Sequence, residues 1–303
     1  MKIGTTYLYT IMKYGYPPKL EDDLKAFREI GEMGFHYLEM EGLGPRHAEM
    51  VLQNKAVYLQ TLKDAGIHVH NFCVVEPELV SLDREKRRRA YDTFRRVSQV
   101  GLELEAETFH LASYAPPVEF VGKTPYQLDG GDYEFADKLS VKIPDGFCWE
   151  RVWEALVESC QECADIAAQS GRTVLMEPRV GEIICSVDSM LRLIKDVGRS
   201  NFKANFDTGH FAAQRENVCL ALMKLEGQFA NIHIADNRDA GVDHLAVGDG
   251  EIDWDEFFRL LQKMGYDGYL GLDLGRENLE ENLLRSREYI VKTATAAGCT
   301  IQY

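Results

Sequence analysis

NFDTGHF, residues 205–211, begins as a buried strand and ends as something else. Asn205 and Phe206 continue the apolar run that starts at Phe202, and then an acid, a hydroxyl, a glycine and a histidine follow in succession. A strand that loses its apolar character so abruptly has reached a surface. Asp207 and His210 at that edge mark a site only if other strands end in the same way.

They do. Short runs rich in Val, Ile, Tyr and Phe read as buried strands at KIGTTYLY (2–9), YLEME (37–41), HVHNFCVV (68–75) and ETFHLASY (107–114). TVLMEP (173–178), FKANFDTG (202–209), FANIHIAD (229–236) and YLGLDLG (269–275) follow. Between them lie segments with helical spacing. In WERVWEALVESCQECADIAAQ, one face carries Trp149, Val152, Trp153, Leu156, Val157, Cys160, Ala164 and Ala167. DWDEFFRLLQKM repeats the signal, with Asp253 as its N-cap. Eight alternating units in 303 residues, with no linker between them, give an α/β fold. The expectation is a single (β/α)8 TIM barrel forming one domain over residues 1–303. An open doubly wound sheet is the alternative, weakened by the lack of GxGxxG after the first strand.

One connection breaks the rhythm. Residues 115–148 form a long loop after the fourth strand, which places it on the catalytic face as a lid or partner surface. DGGD (129–132) within it suggests a small hairpin.

Bulk composition narrows the function. The formal charge of -15 opposes nucleic-acid binding, which relies on Lys and Arg at phosphates. No signal peptide and no apolar span long enough for a bilayer is read, so no membrane partner is expected. Seven scattered cysteines are poor material for a disulfide framework, which points to a reducing cytoplasm.

In a barrel, side chains at the C-terminal strand ends converge on one mouth. Those ends supply His70, His110, Glu177, Asp207 with His210, His233 with Asp236, and Asp273. With His244, five of the eight histidines sit at such positions. Carboxylates with one imidazole suit a single divalent ion, Mn²⁺, Mg²⁺, Co²⁺ or Zn²⁺, and Glu177, Asp207, His233 and Asp273 come from consecutive strands.

MEP (176–178), FDTGH (206–210), NIHIADN (231–237) and HLAVGDGEIDW (244–254) resemble, in order and spacing, the signature of the xylose-isomerase-like barrel superfamily. Sugar isomerases, ketose 3-epimerases, inosose dehydratases and the endonuclease IV group belong to it. The resemblance runs from MKIG at residue 1 to GYLGLDLG near the end. It implies metal ligands at Glu177, Asp207, His233 and Asp273. Asp273 is a departure, since most of these families carry glutamate there, and its shorter side chain brings the metal closer to the eighth strand or binds it through water. The resemblance also implies substrate contacts at His210 and, within a residue of the family positions, at Arg238 and Glu182. His110 and His70 complete the candidate substrate shell.

The chemistry implied is proton transfer next to a carbonyl of a sugar or cyclitol, through an enediolate, with Glu177 and Asp273 as the acid/base pair. Its leading form is an isomerase or epimerase, with a dehydratase or keto-glycoside lyase beside it. A three-zinc nuclease of the endonuclease IV type shares His70, His110, His210 and His244, but Val242 stands where that family needs a carboxylate. A non-catalytic sugar- or partner-binding barrel is the third alternative. A homo-oligomer is expected from the long loop and the helices.

Other signals read as structural. DREKRRRAYDTFRR (83–96) is a solvated helix face, although Arg84 or Lys86 lies near enough to the catalytic face to meet an anion. Cys160 and Cys163 fall in an apolar stripe, Trp149 and Trp153 pack in the core, and Gly248-Asp249-Gly250 is a tight turn.

Overall fold

The structure, a computed structural model, describes the chain apart from residues 130, 131, 136–138, 239, 240 and 276. Four barrel strands come first: β1 (Lys2–Thr5), β2 (Tyr37–Gly42), β3 (His68–Val74) and β4 (Thr108–Ala112). The connection after β4 contributes β5 (Glu119–Phe120), β6 (Tyr126–Asp129), β7 (Asp132–Phe135) and β8 (Val141–Lys142). The barrel resumes with β9 (Thr173–Glu177), β10 (Phe202–Asp207), β11 (Phe229–Ile234) and β12 (Tyr269–Leu272). These eight barrel strands pair in parallel and close, β12 joining β1, so the chain folds as the expected (β/α)8 barrel. No helix among the described residues is long and apolar enough to cross a membrane.

Each apolar run extends past its strand by a few residues, because the residues beyond the ladder enter loops and short helices. Tyr7 precedes the helix Leu8–Tyr14, and Thr208 opens the helix Thr208–Ala213. The helices Trp149–Ala168 and Trp254–Met264 match their patterns, and Asp253 caps the second by accepting a hydrogen bond from the Glu256 amide. Trp149 is a correction. It is 38% exposed on the first helical turn beside Phe147, whereas Trp153 is buried and donates to Asp196. Cys160 and Cys163 are core residues.

Alternation along the strands sorts the side chains into two layers. Outward residues meet the helices, as where Phe206 packs against Phe211, Phe229 and Phe257 with ring centres 4.8, 5.8 and 6.2 Å away. Inward residues are polar to an unusual degree, and they build the site described below.

The long connection folds into two antiparallel pairs, β5 with β8 and β6 with β7. The second is the hairpin expected from DGGD, whose two glycines lie outside the described residues. Strand β7 neighbours the helix Leu8–Tyr14. At the other side, Pro125 and Leu139 close on Gly181, where a Cβ would lie 2.5 Å from a Leu139 methyl. The insertion therefore spans the face at the C-terminal strand ends, between the first helix and the loop after β9.

The loop after β11 has its own anchor. Asp236 is buried and accepts from the Gly248 and Ile252 amides at 2.8 and 3.2 Å and from the Trp254 indole at 2.7 Å. Gly250 must be glycine here, because a Cβ would sit 2.3 Å from the Asp236 carboxylate. This accounts for GDG as a packed turn. Asp236→Ala, which orphans these donors, is expected to cost about 3–5 kcal/mol in urea unfolding. A loss below about 1 kcal/mol would show that the loop holds itself.

Candidate active site and cation centre

The inward faces of the strands carry their polar residues two apart. Examples are Glu39 and Glu41 on β2, Thr108 and His110 on β4, Asn205 and Asp207 on β10, and Asn231 and His233 on β11. Two register shifts support this pattern. Leu38 pairs with Val69 but Glu39 with Asn71, so β3 gains an extra residue at His70; β11 gains one at Ala230 opposite Ala204 and Asn205. Each bulge brings an asparagine inward. Asn71 donates to Glu39, and Asn231 donates to Asn205, which donates to Glu177 at 2.9 Å.

Above this asparagine layer lies a cavity of about 190 Å³, suited to a small molecule. Glu39, Glu41, Glu177, Glu182 and Asp273 line it, together with His110, His210, His233, His244 and Arg179. Glu177, Asp207 and His233 each offer a donor atom within 4.8 Å of the others, and all three are buried. Two carboxylates and an imidazole in one buried cluster form a donor set that fits a divalent ion. Asp207 divides its work. Oδ1 caps the helix Thr208–Ala213 by accepting from the His210 amide at 2.7 Å, and Oδ2 lies 3.7 Å from His233 Nδ1.

Asp273 shares the cavity but stands apart from that cluster. Its carboxylate accepts from Thr6 Oγ1 at 2.6 Å and faces His244 Nδ1 at 3.2 Å. With one methylene fewer than glutamate, it is held at the rim by these two partners.

Burial and charge act against each other throughout the mouth. Burial raises the Glu177 carboxyl, but His233 and His110 outweigh it and hold the group well below its usual range. Asp273 is lowered in the same way, with burial opposed chiefly by His244. For His233, burial disfavours the charged ring, yet Glu39 and Glu177 on either side hold its pKa well above the ordinary value. At Glu41 burial, followed by the charge of Glu39, outweighs Arg179 and His110 and pushes the carboxyl up to about 7. Glu182 is raised by burial despite Arg179 and Ser113, whose hydroxyl donates to it at 2.7 Å.

Of the expected substrate residues, His110, His210 and Glu182 line the cavity. The other two are elsewhere. His70, the bulge residue on β3, lies buried against the Tyr269 ring at 4.0 Å, and burial lowers its pKa to about 4. Arg238 is exposed and donates to the Asp249 carbonyl at 2.6 and 2.9 Å. Arg179 lies in the cavity instead, its Nε 3.5 Å from Glu177. Glu39, Glu41 and Arg179 were not anticipated, although two acids two apart inside an apolar strand at YLEME were a readable signal.

A family model described as a xylose isomerase-like TIM barrel matches residues 27–293. Hydroxypyruvate isomerase of Escherichia coli (strain K12) is 27% identical over 149 residues, 48% of this chain and 56% of that enzyme. The chain thus spans about half the length of that relative in the match. An inosose dehydratase of Clostridium botulinum (strain Alaska E43 / Type E3) is 20% identical over 292 residues, 89% of each chain. Among solved structures, a D-tagatose 3-epimerase-like protein superposes with a TM-score of 0.74 at 17% identity, covering 98% of both chains. At that identity the likeness speaks for the fold alone.

The charge states give a signed expectation for cation binding. Glu177 and Asp273 are already ionised near neutral pH, whereas His233 carries a proton that a cation must displace. Calorimetric titration of Mn²⁺ at pH 7, in buffers of different ionisation enthalpy, should report release of about one proton per ion, with affinity falling as pH falls. Glu177→Gln and Asp207→Asn should each weaken binding at least about tenfold. Binding without proton release, or unchanged in both variants, would place the ion elsewhere.

Proposed function

This chain belongs to the xylose isomerase-like TIM barrels, and from that premise we propose that it is a divalent-cation-dependent isomerase or epimerase of a sugar or cyclitol. The observation that carries the proposal is the pairing, in one cavity, of two ionised carboxylates from different strands, Glu177 on β9 and Asp273 after β12, beside the Glu177, Asp207 and His233 cluster. Glu177, Asp207 and His233 would hold the cation, with Asp273 facing it from the rim. When bound, the ion supplies positive charge to the oxygen of the substrate carbonyl and so acidifies the neighbouring C–H.

The residues then divide the work. One carboxylate of the Glu177 and Asp273 pair removes the proton next to the carbonyl. The C–H electron pair moves into a C–C double bond, and the carbonyl electrons move to oxygen, giving an enediolate. Return of a proton to the opposite face gives epimerisation; return to the neighbouring carbon gives isomerisation. His210, His110 and Glu182 would orient the hydroxyls, and the insertion over the mouth would limit access of water.

A specific observation favours a second outcome. Glu41 is a cavity carboxyl pushed up to about 7, so about half of it is protonated at neutral pH and able to pass a proton to a departing hydroxyl. Elimination then follows the same first step, as the name of the inosose dehydratase relative matched over 89% of its length would require.

Incubation with keto-hexoses and inososes in D₂O with Mn²⁺ tests both outcomes. Deuterium should enter next to the carbonyl of at least one substrate, and Glu177→Gln should slow this by about 10²–10⁴-fold. Loss of water accompanied by an enone absorbance would assign the elimination branch. Absence of exchange in every keto substrate, with the cation bound, would remove the proposal.

A further inference from the structure

Glu39 is buried as fully as Asp207, each at 2% exposure, and it occupies a singular position. From β2 it reaches into the barrel interior and meets side chains of three other strands. Oε2 accepts from the Asn71 amide at 2.5 Å and lies 2.9 Å from His233 Nε2; Oε1 lies 3.3 Å from His110 Nδ1. The orientation of Asn71 is itself fixed, since its carbonyl oxygen accepts from Thr108 at 2.6 Å, leaving the NH₂ for Glu39.

An imidazole that gives one N–H to a carboxylate presents its other nitrogen as a donor atom. For His233 that nitrogen is Nδ1, 2.7 Å from Glu177 and 3.7 Å from Asp207, which is the side of the cation cluster. For His110 it is Nε2, buried, 3.8 Å from Glu177 and without a hydrogen-bond partner among the described residues. Both nitrogens face the chemistry because both of their opposites face Glu39.

We propose that Glu39 is a positioning residue. One buried carboxylate sets the ring orientation and the tautomer of two histidines, so that His233 offers Nδ1 to a divalent ion and His110 offers Nε2 to the substrate. The inference rests on the cation site proposed above and adds a residue that acts through the two rings. The rival arrangement is a second cation among Glu39, His110 and His233, whose donor atoms also lie within 4.8 Å of one another. It would have to displace the hydrogens that the two rings share with Glu39.

The test uses zinc, which is diamagnetic, and protein labelled with ¹⁵N-histidine. On titrating the wild type with Zn²⁺, long-range ¹H–¹⁵N correlation spectra should show His233 ligated through Nδ1 with a protonated Nε2, and His110 protonated at Nδ1 only. The stoichiometry should be a single zinc per chain. Glu39→Gln, whose amide must present an N–H to one of the rings, should disturb at least one of these tautomers and lower zinc affinity about 10–100-fold. The wild-type spectra decide the matter alone if that variant does not fold. Zinc ligated through His233 Nε2, His110 protonated at Nε2, a folded Glu39→Gln that binds as tightly as wild type, or a second zinc on Glu39 would overturn the inference while leaving the cation site standing. A wild type that binds no zinc would instead remove the cation site and the inference with it.

Discussion

Negative charge buried in a confined space is the constraint on which the rest of this structure depends. Glu39, Glu177, Glu182, Asp207 and Asp273 are all buried around the barrel mouth, with Glu41 beside them in the same cavity. An unpaired buried carboxylate is costly by several kcal/mol even after relaxation, and neighbouring like charges add to that cost. The barrel answers with imidazoles between the carboxylates, a layer of asparagines beneath them, and Arg179 across the mouth. These partners hold Glu39 and Glu177 ionised but leave acids in excess, and Glu41 responds by taking up a proton near neutral pH. Under the proposed function a divalent cation would supply counter-charge to this acidic mouth.

The fold delivers the arrangement through one simple periodicity. Side chains two apart along a strand share a face, so each barrel strand can be apolar toward the helices and polar toward the axis. Two bulges adjust the register where asparagine side chains are needed beneath Glu39 and Glu177. The loops then add specific anchors: Asp236 for the segment after β11, and Gly181 where the insertion closes on the loop that carries Arg179 and Glu182.

Most of the fold was legible because apolar runs and helical stripes are set by burial, which composition records directly. Strand ends were less so, since Tyr7 and Thr208 are buried outside the ladder as fully as inside it. Within the site, the acids and histidines at strand ends were readable as a set once a barrel was assumed. The exceptions have physical causes. His70 is displaced by a bulge, which no pattern of residue types reveals. Arg238 sits where the chain has left the mouth, and its guanidinium turns to a backbone carbonyl. Glu39 and Glu41 were read as part of an ordinary buried strand, although acids at alternating positions in such a strand must face something that compensates them. Trp149 matched its helical stripe, but the first turn of that helix lies beyond the cover of its neighbours.

The central claim, that this acidic mouth is built around a cation, is tested most directly by thermal unfolding of the intact protein with and without a divalent ion. After chelation and dialysis, adding Mn²⁺ to about 100 times its dissociation constant should stabilise the folded state by about 2.7 kcal/mol, a Tm rise of a few degrees. At the same Mn²⁺ concentration the rise should fall to about half or less in Asp207→Asn. An unchanged Tm in the wild type with millimolar Mn²⁺, Mg²⁺, Co²⁺ and Zn²⁺ alike would contradict the account, because the carboxylates would then be balanced by the protein alone.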